Sequence, residues 1–334
     1  MGRVIRGLAS VAITLFLLLL LTFVVTRMLP GDPVVAVVGE TADPAVYARV
    51  RAEMGLDQPL PVQLVRYVAG FARGTLGVST VTGNPVELDL LRVFPATFEL
   101  ATLAMVLSVL VGLPLGVLAA LRQNTVLDYL VRLAGLIGFS TPIFWLGLMG
   151  VSLLYGEWGL LPGPGRVDPA LILKTPEITG FLTLDAALSG DWTTAASAVH
   201  HMLMPALTLT VLGAAFLSRM TRAFLLEQLE QEYVTAARAK GVSGWRLVVR
   251  HPFRNTLVQL VTVIALGYAG LLEGSVLIEV VFAWPGLGLY LANAVLSGDV
   301  NAVVGGVLLV GVIFIVLNQL ADWIGERIDP RLAA

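Results

Sequence analysis

The chain has 334 residues, of which 57% are hydrophobic and 13% charged, and its mean hydropathy is +0.86. Soluble domains carry about 25% charged residues; 21 Lys and Arg with 23 Asp and Glu are too few to cover a soluble protein of this length, so a lipid bilayer must be its main solvent. The lack of cysteine excludes disulfide scaffolds and thiolate metal sites, and the net charge of −2 argues against nucleic-acid binding.

The first predicted element is a membrane-spanning helix within the uncharged run at residues 7–26. About 20 apolar residues suffice for a helix to cross a hydrocarbon core of about 30 Å. Arg3 and Arg6 precede the run, as in a signal peptide, but it is longer than a signal's hydrophobic region of roughly 7 to 15 residues and no small-x-small cleavage site follows. The sequence therefore predicts an uncleaved first helix.

Five further spans follow, which predicts an all-α polytopic membrane protein with six transmembrane helices. These spans cover about residues 97–120, 130–155, 203–224, 257–282 and 302–322. The predicted organisation is an N-terminal segment with the first span at 1–28, an extracytoplasmic loop at 29–96, two spans at 97–155, a second extracytoplasmic loop at 156–202, and three spans at 203–334 that include a cytoplasmic loop at 226–255.

The distribution of basic residues predicts the orientation. With the N-terminus inside, 13 of the 21 Lys and Arg residues fall on cytoplasmic segments, where short loops are enriched in them. The short loop at 283–301 has neither and fits the outside. Both termini are therefore predicted to be cytoplasmic.

The two outer loops are long enough to carry structure of their own. Apolar residues recur at helical spacing in residues 45–54 and 60–72, and prolines interrupt the second loop. These loops are expected to form a polar cap, which either plugs the helix bundle or docks a soluble partner.

The cytoplasmic loop contains a short predicted helix at residues 232–241. Gly241 occupies a C-cap position and basic residues lie in the last turn. The small residues Ala236, Ala237 and Ala239 favour close approach of a partner surface. The alternative is a solvated basic loop that reflects only the charge bias of cytoplasmic segments.

This segment resembles the EAA loop of ATP-binding cassette importer permeases, whose pattern places Glu-Ala-Ala four residues before a Gly. Thr235, Ala236, Ala237 and Gly241 occupy those positions, with Thr in place of Glu as in the peptide-importer subgroup. Further segments similar to dipeptide permeases are PGDP at 30–33, GLDQP at 55–59, PAT at 95–97, PLGV at 114–117, STPIFW at 140–145, TGF at 179–181, RH at 250–251, RN at 254–255, FAWPGLG at 282–288 with Glu279, and DPR at 329–331.

The resemblance implies a permease subunit of a five-part importer in the bacterial inner membrane. Its expected partners are a second homologous permease in a heterodimer, two ATPase subunits and an extracytoplasmic substrate-binding protein. ATP and Mg are expected on the ATPases, with no cofactor or metal in this chain. The residues implied to couple to the ATPases are Glu232, Tyr233, Thr235, Ala236, Ala237, Arg238, Ala239, Lys240 and Gly241.

The chain itself is not expected to be an enzyme. A P-loop needs the pattern G-x-x-x-x-G-K-[ST], and neither Lys174 nor Lys240, the only lysines, has that setting. Energy is therefore expected to arrive mechanically through the cytoplasmic loop, as rocking of helix bundles.

Ionisable and helix-breaking residues within the spans are the pathway candidates, because a charge at a helix centre costs about 2.5 to 3.5 kcal/mol. Glu273 lies nearest the middle of a span and either lines the pathway or pairs with a polar group on another helix or on the partner permease. Glu99 and Glu279 lie nearer helix ends, where their side chains are expected to reach the interface. Pro114 and Pro142 are expected to kink or break their helices. The pathway candidates are therefore Glu273, Pro142 and Glu279.

The leading function is ATP-driven import of dipeptides or short oligopeptides. The alternative within the family is nickel import, and the alternative outside it is a secondary transporter that works alone. A secondary transporter would need a relay of ionisable groups, and a single central Glu makes a poor relay.

Overall fold

The computed structural model of the chain describes residues 12–24, 33–39, 41–171, 175–242, 244–250 and 252–328. Several sequence features named above, namely Arg3, Arg6, Lys174, most of the segment at 30–33, and the segment at 329–331, lie outside the described residues.

Over the described ranges the secondary structure is helical, apart from one isolated antiparallel bridge between Val78 and Pro85. The helices are α1 Ala12–Val24, α2 Pro33–Val38, α3 Pro44–Glu53, α4 Leu60–Ala72, α5 Val86–Leu121, α6 Val126–Ser140, α7 Ile143–Gly150, α8 Leu182–Leu188, α9 Trp192–Leu229, α10 Glu232–Ala239, α11 Gly244–Arg250, α12 Pro252–Val281, α13 Leu287–Ser297 and α14 Val300–Ile328. A π-helical segment, Val151–Glu157, continues α7, and a short 3-10 helix covers Pro169–Leu171.

Four of the helices are long and apolar enough to cross a membrane: α5, α9, α12 and α14. The bent pair of α6 with α7 and its π-helical continuation adds a fifth span if it is counted as one. The described part of α1 is shorter than a span. Four to five spans are therefore shown, and the count of six stays a prediction.

Two spans begin earlier than the hydropathy predicts. α5 begins at Val86 rather than near residue 97, with Glu87 and Asp89 in its first turn, where acidic side chains favour a helix N-terminus. α9 begins at Trp192 rather than near residue 203, and Asp191 caps it by accepting a hydrogen bond from the Thr194 backbone N–H at 3.1 Å. Hydropathy identifies only the membrane-embedded part of such a helix, because its extension is polar.

The chain divides into two compact units. The first comprises residues 1–95 and 286–315. The buried apolar residues that α1 and α14 contribute to one of its clusters are Leu19, Val304 and Leu308. Around them, the hydroxyls of Thr22 and Tyr67 meet at 3.0 Å, and Ser79 donates a hydrogen bond to Asp299 at 2.5 Å. The predicted helical stretches of the first outer loop correspond to α3 and α4 in this unit.

The second unit comprises residues 96–285 and 316–334, and α9 packs there against α6, α7, α8 and α12. α5 approaches α9 closely at two glycines. A Cβ built on Gly112 would lie 2.9 Å from the Ala214 carbonyl oxygen, and one on Gly116 would lie 2.6 Å from the Ser218 carbonyl oxygen. Any larger side chain at either position would push the two helices apart.

The two prolines singled out within spans behave differently. α5 continues through Pro114 without interruption. Pro142 is the N-cap of α7, and the chain bends there by 94° between Val126–Ser140 and Ile143–Glu157. The predicted break is therefore confirmed at Pro142, whereas Pro114 does not end its helix.

Candidate coupling site and buried polar groups

The helix predicted at residues 232–241 is α10, and it ends as its sequence indicates. Gly241 has φ +81°, which favours glycine. The Gly241 N–H donates to the Arg238 carbonyl at 2.9 Å, and the Val242 N–H donates to the Ala237 carbonyl at 3.1 Å. These two bonds form a Schellman motif. Glu232 in the first turn and Arg238 in the last turn complement the helix dipole.

The two faces of α10 have different surroundings. Val234 and Ala237 are buried and pack against Leu247 of α11, with Val242 at the edge of the cluster. The small size of Ala237 therefore serves the packing of this chain, and a partner does not reach it directly. The residues of the predicted coupling set that are exposed are Glu232, Tyr233, Thr235, Ala236, Arg238, Ala239, Lys240 and Gly241.

A groove of about 980 Å³ lies beside α10. Its walls come from the ends of α5 and α9, the end of α10 and the start of α11. The lining includes the charged residues Arg122, Glu230 and Arg238 together with Trp245. The exposed face of α10 and this groove together are the candidate docking surface.

Glu279 is fully buried near the end of α12, so the expectation that its side chain reaches the membrane interface is wrong. Its Oε1 atom accepts hydrogen bonds from the Thr97 hydroxyl at 2.6 Å and from the Ser275 hydroxyl at 3.2 Å. Hydroxyl donors inside the protein replace the water that the carboxylate would otherwise need. Glu279 therefore joins α12 to α5.

Glu99 is held in a second polar cluster, which sequence reasoning did not find. Its Oε2 atom accepts from Arg166 Nη2 at 2.5 Å, and its Oε1 atom accepts from the Thr183 backbone N–H at 3.1 Å and from the Thr183 hydroxyl. The Arg166 guanidinium also lies 6.0 Å from the centre of the Trp284 ring. The cluster ties the segment between the bent span and α9 to α5.

Glu273, the most central ionisable residue, is exposed on the surface of α12, and its carboxylate has no partner among the described residues. Other exposed positions on the same helix are Leu266, Gly270, Leu277 and Val280. Their spacing alternates between four and three residues, which places them on one face. Gly270 has open space around it, so its small size is not required by contacts within the chain.

A second buried ion pair joins Asp128 to Arg222, with Arg222 Nε 2.7 Å from Asp128 Oδ1. Sequence reasoning missed this pair because an acidic residue in the first turn of a helix is already explained by the helix dipole.

Asp185 organises the TGF segment at residues 179–181, in the predicted second outer loop. Its carboxylate accepts hydrogen bonds from the Ile178, Thr179 and Gly180 backbone N–H groups at 3.1, 2.9 and 3.0 Å, and from the Thr179 hydroxyl at 2.6 Å. Burial raises the pKa of Asp185, but these hydrogen bonds, that of the Thr179 side chain foremost, outweigh it and hold the pKa below its usual value of 3.8.

We expect Asp185→Asn to loosen this segment at neutral pH, because the charged acceptor is lost; hydrogen bonds to charged groups contribute about 1.5 to 3 kcal/mol. Because the folded-state pKa is depressed, the stabilisation is present above the unfolded pKa of about 3.9 and is lost as the pH falls through the folded value. Limited proteolysis of residues 175–191 in the purified protein should be faster in the variant at pH 7, and the difference should vanish in strong acid. Equal cleavage rates at pH 7 would contradict the assignment.

Comparison with known proteins identifies the family. Residues 112–334 match the family described as "Binding-protein-dependent transport system inner membrane component", and residues 1–101 match "Binding-prot-dependent transport system membrane comp, N-term".

Several curated proteins are similar over almost the whole chain. The probable D,D-dipeptide transport system permease protein DdpB of Escherichia coli K12 is 42% identical over 312 residues, which is 93% of this chain and 92% of that protein. The dipeptide transport system permease protein DppB of the same strain is 39% identical over 331 residues, 98% of each chain. The di/tripeptide transport system permease protein DppB of Pseudomonas aeruginosa UCBPP-PA14 is 39% identical over 328 residues, 98% of this chain and 97% of that protein. The apolar helices and these matches together show that the chain belongs to the inner membrane component family of binding-protein-dependent transport systems.

Proposed function

We propose that this chain is a permease subunit of an ATP-driven importer that moves dipeptides or short oligopeptides across the bacterial inner membrane. The observation that carries the proposal is α10: a short, capped helix with an exposed small-residue face, located where the family motif lies. Membership of the family and the peptide substrates in the names of three relatives support the substrate class. A nickel cargo has no comparable support from the relatives described above.

The proposed assembly contains a second, homologous permease, two ATPase subunits that hold ATP and Mg, and an extracytoplasmic binding protein. In the predicted topology of six spans with both termini in the cytoplasm, α10 and the groove lie on the ATPase side and the two long loops lie on the binding-protein side. This chain contributes the translocation path and is not itself catalytic.

The mechanism assigns a mechanical role to α10. Its inner face is fixed to α11 through Val234, Ala237 and Leu247, so a force on its exposed face moves α10 and α11 together. α11 packs in turn against α12. Movement of docked ATPases is thereby transmitted to a membrane-spanning helix as a rigid-body displacement.

Reconstitution tests this function directly. The chain is co-expressed with its companion permease, ATPases and binding protein and placed in liposomes. ATP-dependent uptake of labelled dipeptides, absent when the binding protein is omitted, is the expected result. ATP hydrolysis by this chain free of the other subunits, or uptake that a proton gradient drives without ATP, would contradict the proposal.

The exposed face of α12 is proposed as part of the contact between the two permeases. A carboxylate facing lipid at the centre of a helix costs about 2.5 to 3.5 kcal/mol, whereas a polar partner on a neighbouring subunit offsets that cost. Leu266 and Leu277 flank Glu273 with apolar surface, and Gly270 permits a second helix to approach closely.

We expect Glu273→Gln to weaken assembly with the partner permease while leaving the substrate preference unchanged. A hydrogen bond to a charged group contributes about 1.5 to 3 kcal/mol, so the affinity between subunits should fall roughly tenfold to a hundredfold. Co-purification of the two permeases measures this, with Glu53→Gln on the exposed helix α3 as the matched control. A change in preference between cationic and neutral dipeptides at full assembly would instead place Glu273 in the pathway.

A further inference from the structure

In the ion pair of Asp128 and Arg222, both carboxylate oxygens of Asp128 accept hydrogen bonds. Arg222 donates from Nε to Asp128 Oδ1 at 2.7 Å and from Nη2 to Oδ2 at 2.8 Å, so the contact is bidentate. Oδ2 also accepts the Asn124 backbone N–H at 3.0 Å. The Asp128 side chain is fully buried, and that of Arg222 is 20% exposed. Such fork geometry fixes orientation as well as distance.

Stability alone is a weak explanation for such a pair. Removing two charges from water is expensive, and apolar residues of similar volume often stabilise a fold as well or better. The pair instead fixes the relative position of the elements that it joins. It connects the turn between α5 and α6 to α9, and the turn itself is tightly specified because Asn124 has φ +61°.

The location of the pair connects it to the docking surface. Arg222 lies in the last turns of α9, which ends at Leu229, shortly before α10 begins at Glu232. On the other side of the turn, Arg122 and Gln123 line the same groove as Arg238 and Gly241 at the end of α10. The groove beside α10 is therefore bounded by the two elements that the ion pair joins.

Packing around the pair leaves the same helices little freedom to slide. A Cβ on Gly116 of α5 would lie 2.6 Å from the Cβ of Thr221, the neighbour of Arg222 on α9. Val117 and Ala120 of α5 and Leu225 of α9 form one buried cluster with Val248 of α11. The apolar contacts hold the helix ends together, and the ion pair sets their angle and register.

We propose that Asp128 and Arg222 are positioning residues for the coupling of ATP hydrolysis to transport. They make the ends of α5, α6 and α9 move as one body when α10 is displaced. This inference rests on the proposed function. Without the pair, α10 would still bind the ATPases and move α12 through α11, but the displacement would be absorbed in the turn at residues 122–125 instead of reaching α5 and α6.

The test compares peptide transported with ATP hydrolysed by the whole reconstituted importer. Asp128→Asn keeps the shape of the side chain and removes its charge, and Arg222→Lys keeps the charge but replaces the planar fork with a point charge. Glu53→Gln, in an ion pair whose side chains are 70% and 66% exposed, is the matched control. We expect the ratio of peptide to ATP to fall on the order of tenfold in Asp128→Asn, within the range of typical coupling energies, less in Arg222→Lys, and not in the control.

If the pair only stabilises the fold, the variants should show a different pattern of complex yield, transport and ATP hydrolysis. Complex yield, transport and ATP hydrolysis would fall in proportion, with an unchanged ratio, and that result would overturn the inference. If Asp128→Asn does not assemble, Arg222→Lys decides; failure of both to assemble also makes the pair structural. A wild-type complex without ATP-driven peptide uptake would contradict the proposed function instead, which keeps the two failures separate.

Discussion

Ala236→Glu is expected to abolish ATP-driven transport while the permease still folds and inserts into the membrane. Ala236 lies on the exposed face of α10, so the new carboxylate is solvated in the free chain. On docking it would be buried without a partner, which costs about 3 to 5 kcal/mol and weakens binding roughly a hundredfold or more. Co-purification of the ATPases and peptide-stimulated ATP hydrolysis measure the effect.

Two further variants separate docking from folding. Ala237→Glu introduces the same charge on the buried face, into the cluster of Val234 and Leu247, and should disrupt the loop itself. Ala52→Glu adds it to an exposed position on α3, in the predicted extracytoplasmic loop, and should change nothing. Unaltered ATPase binding and transport in Ala236→Glu would remove α10 from the docking surface.

Trp284→Ala is expected to cause the largest loss of stability of any single substitution near the polar clusters. Trp284 is the largest fully buried side chain of the described residues, and its indole Nε1 donates to the Ala96 carbonyl at 2.9 Å. Truncating a buried Trp to Ala costs about 3 to 5 kcal/mol. The vacated space also removes the ring beside the Arg166 guanidinium, which lies 6.0 Å from its centre.

The control is Trp284→Phe, which keeps most of the apolar volume and loses the indole donor. It should cost less than the alanine variant, because the lost indole hydrogen bond contributes about 0.5 to 1.5 kcal/mol and the Ala96 carbonyl, inside α5, keeps its helical position. The fraction of purified protein that stays monodisperse after graded heating ranks the three proteins. If the alanine variant is as stable as the phenylalanine variant, the cavity around Trp284 must collapse on truncation and the packing argument is wrong.

Local signals in the sequence predicted the elements that depend on neighbouring residues. The spans follow from apolar runs, the break at Pro142 from a missing backbone donor, and the end of α10 from a glycine that adopts a positive φ. In each of these, the residues that decide the structure are only a few positions apart.

The pairings within the bundle could not be predicted in this way. Asp128 and Arg222 are 94 residues apart, Glu99 and Arg166 are 67 apart, and Thr97 and Glu279 are 182 apart. Which face of a helix each residue occupies depends on how the helices pack. For the same reason Glu279 was expected at the interface but is buried, whereas the central Glu273 lies exposed.

The 94° bend at Pro142 constrains how this span can lie in a bilayer. α6 has 15 residues, about 22 Å at 1.5 Å per residue, so this half alone is shorter than the hydrocarbon core of about 30 Å. A new helix, α7, begins at Ile143. Its N-cap residue, Pro142, has no side chain that can accept a hydrogen bond from the first backbone N–H groups of α7. Amides without acceptors cost several kcal/mol each in hydrocarbon. We therefore expect the bend to lie where water, a lipid headgroup or a neighbouring subunit can supply acceptors to these amides.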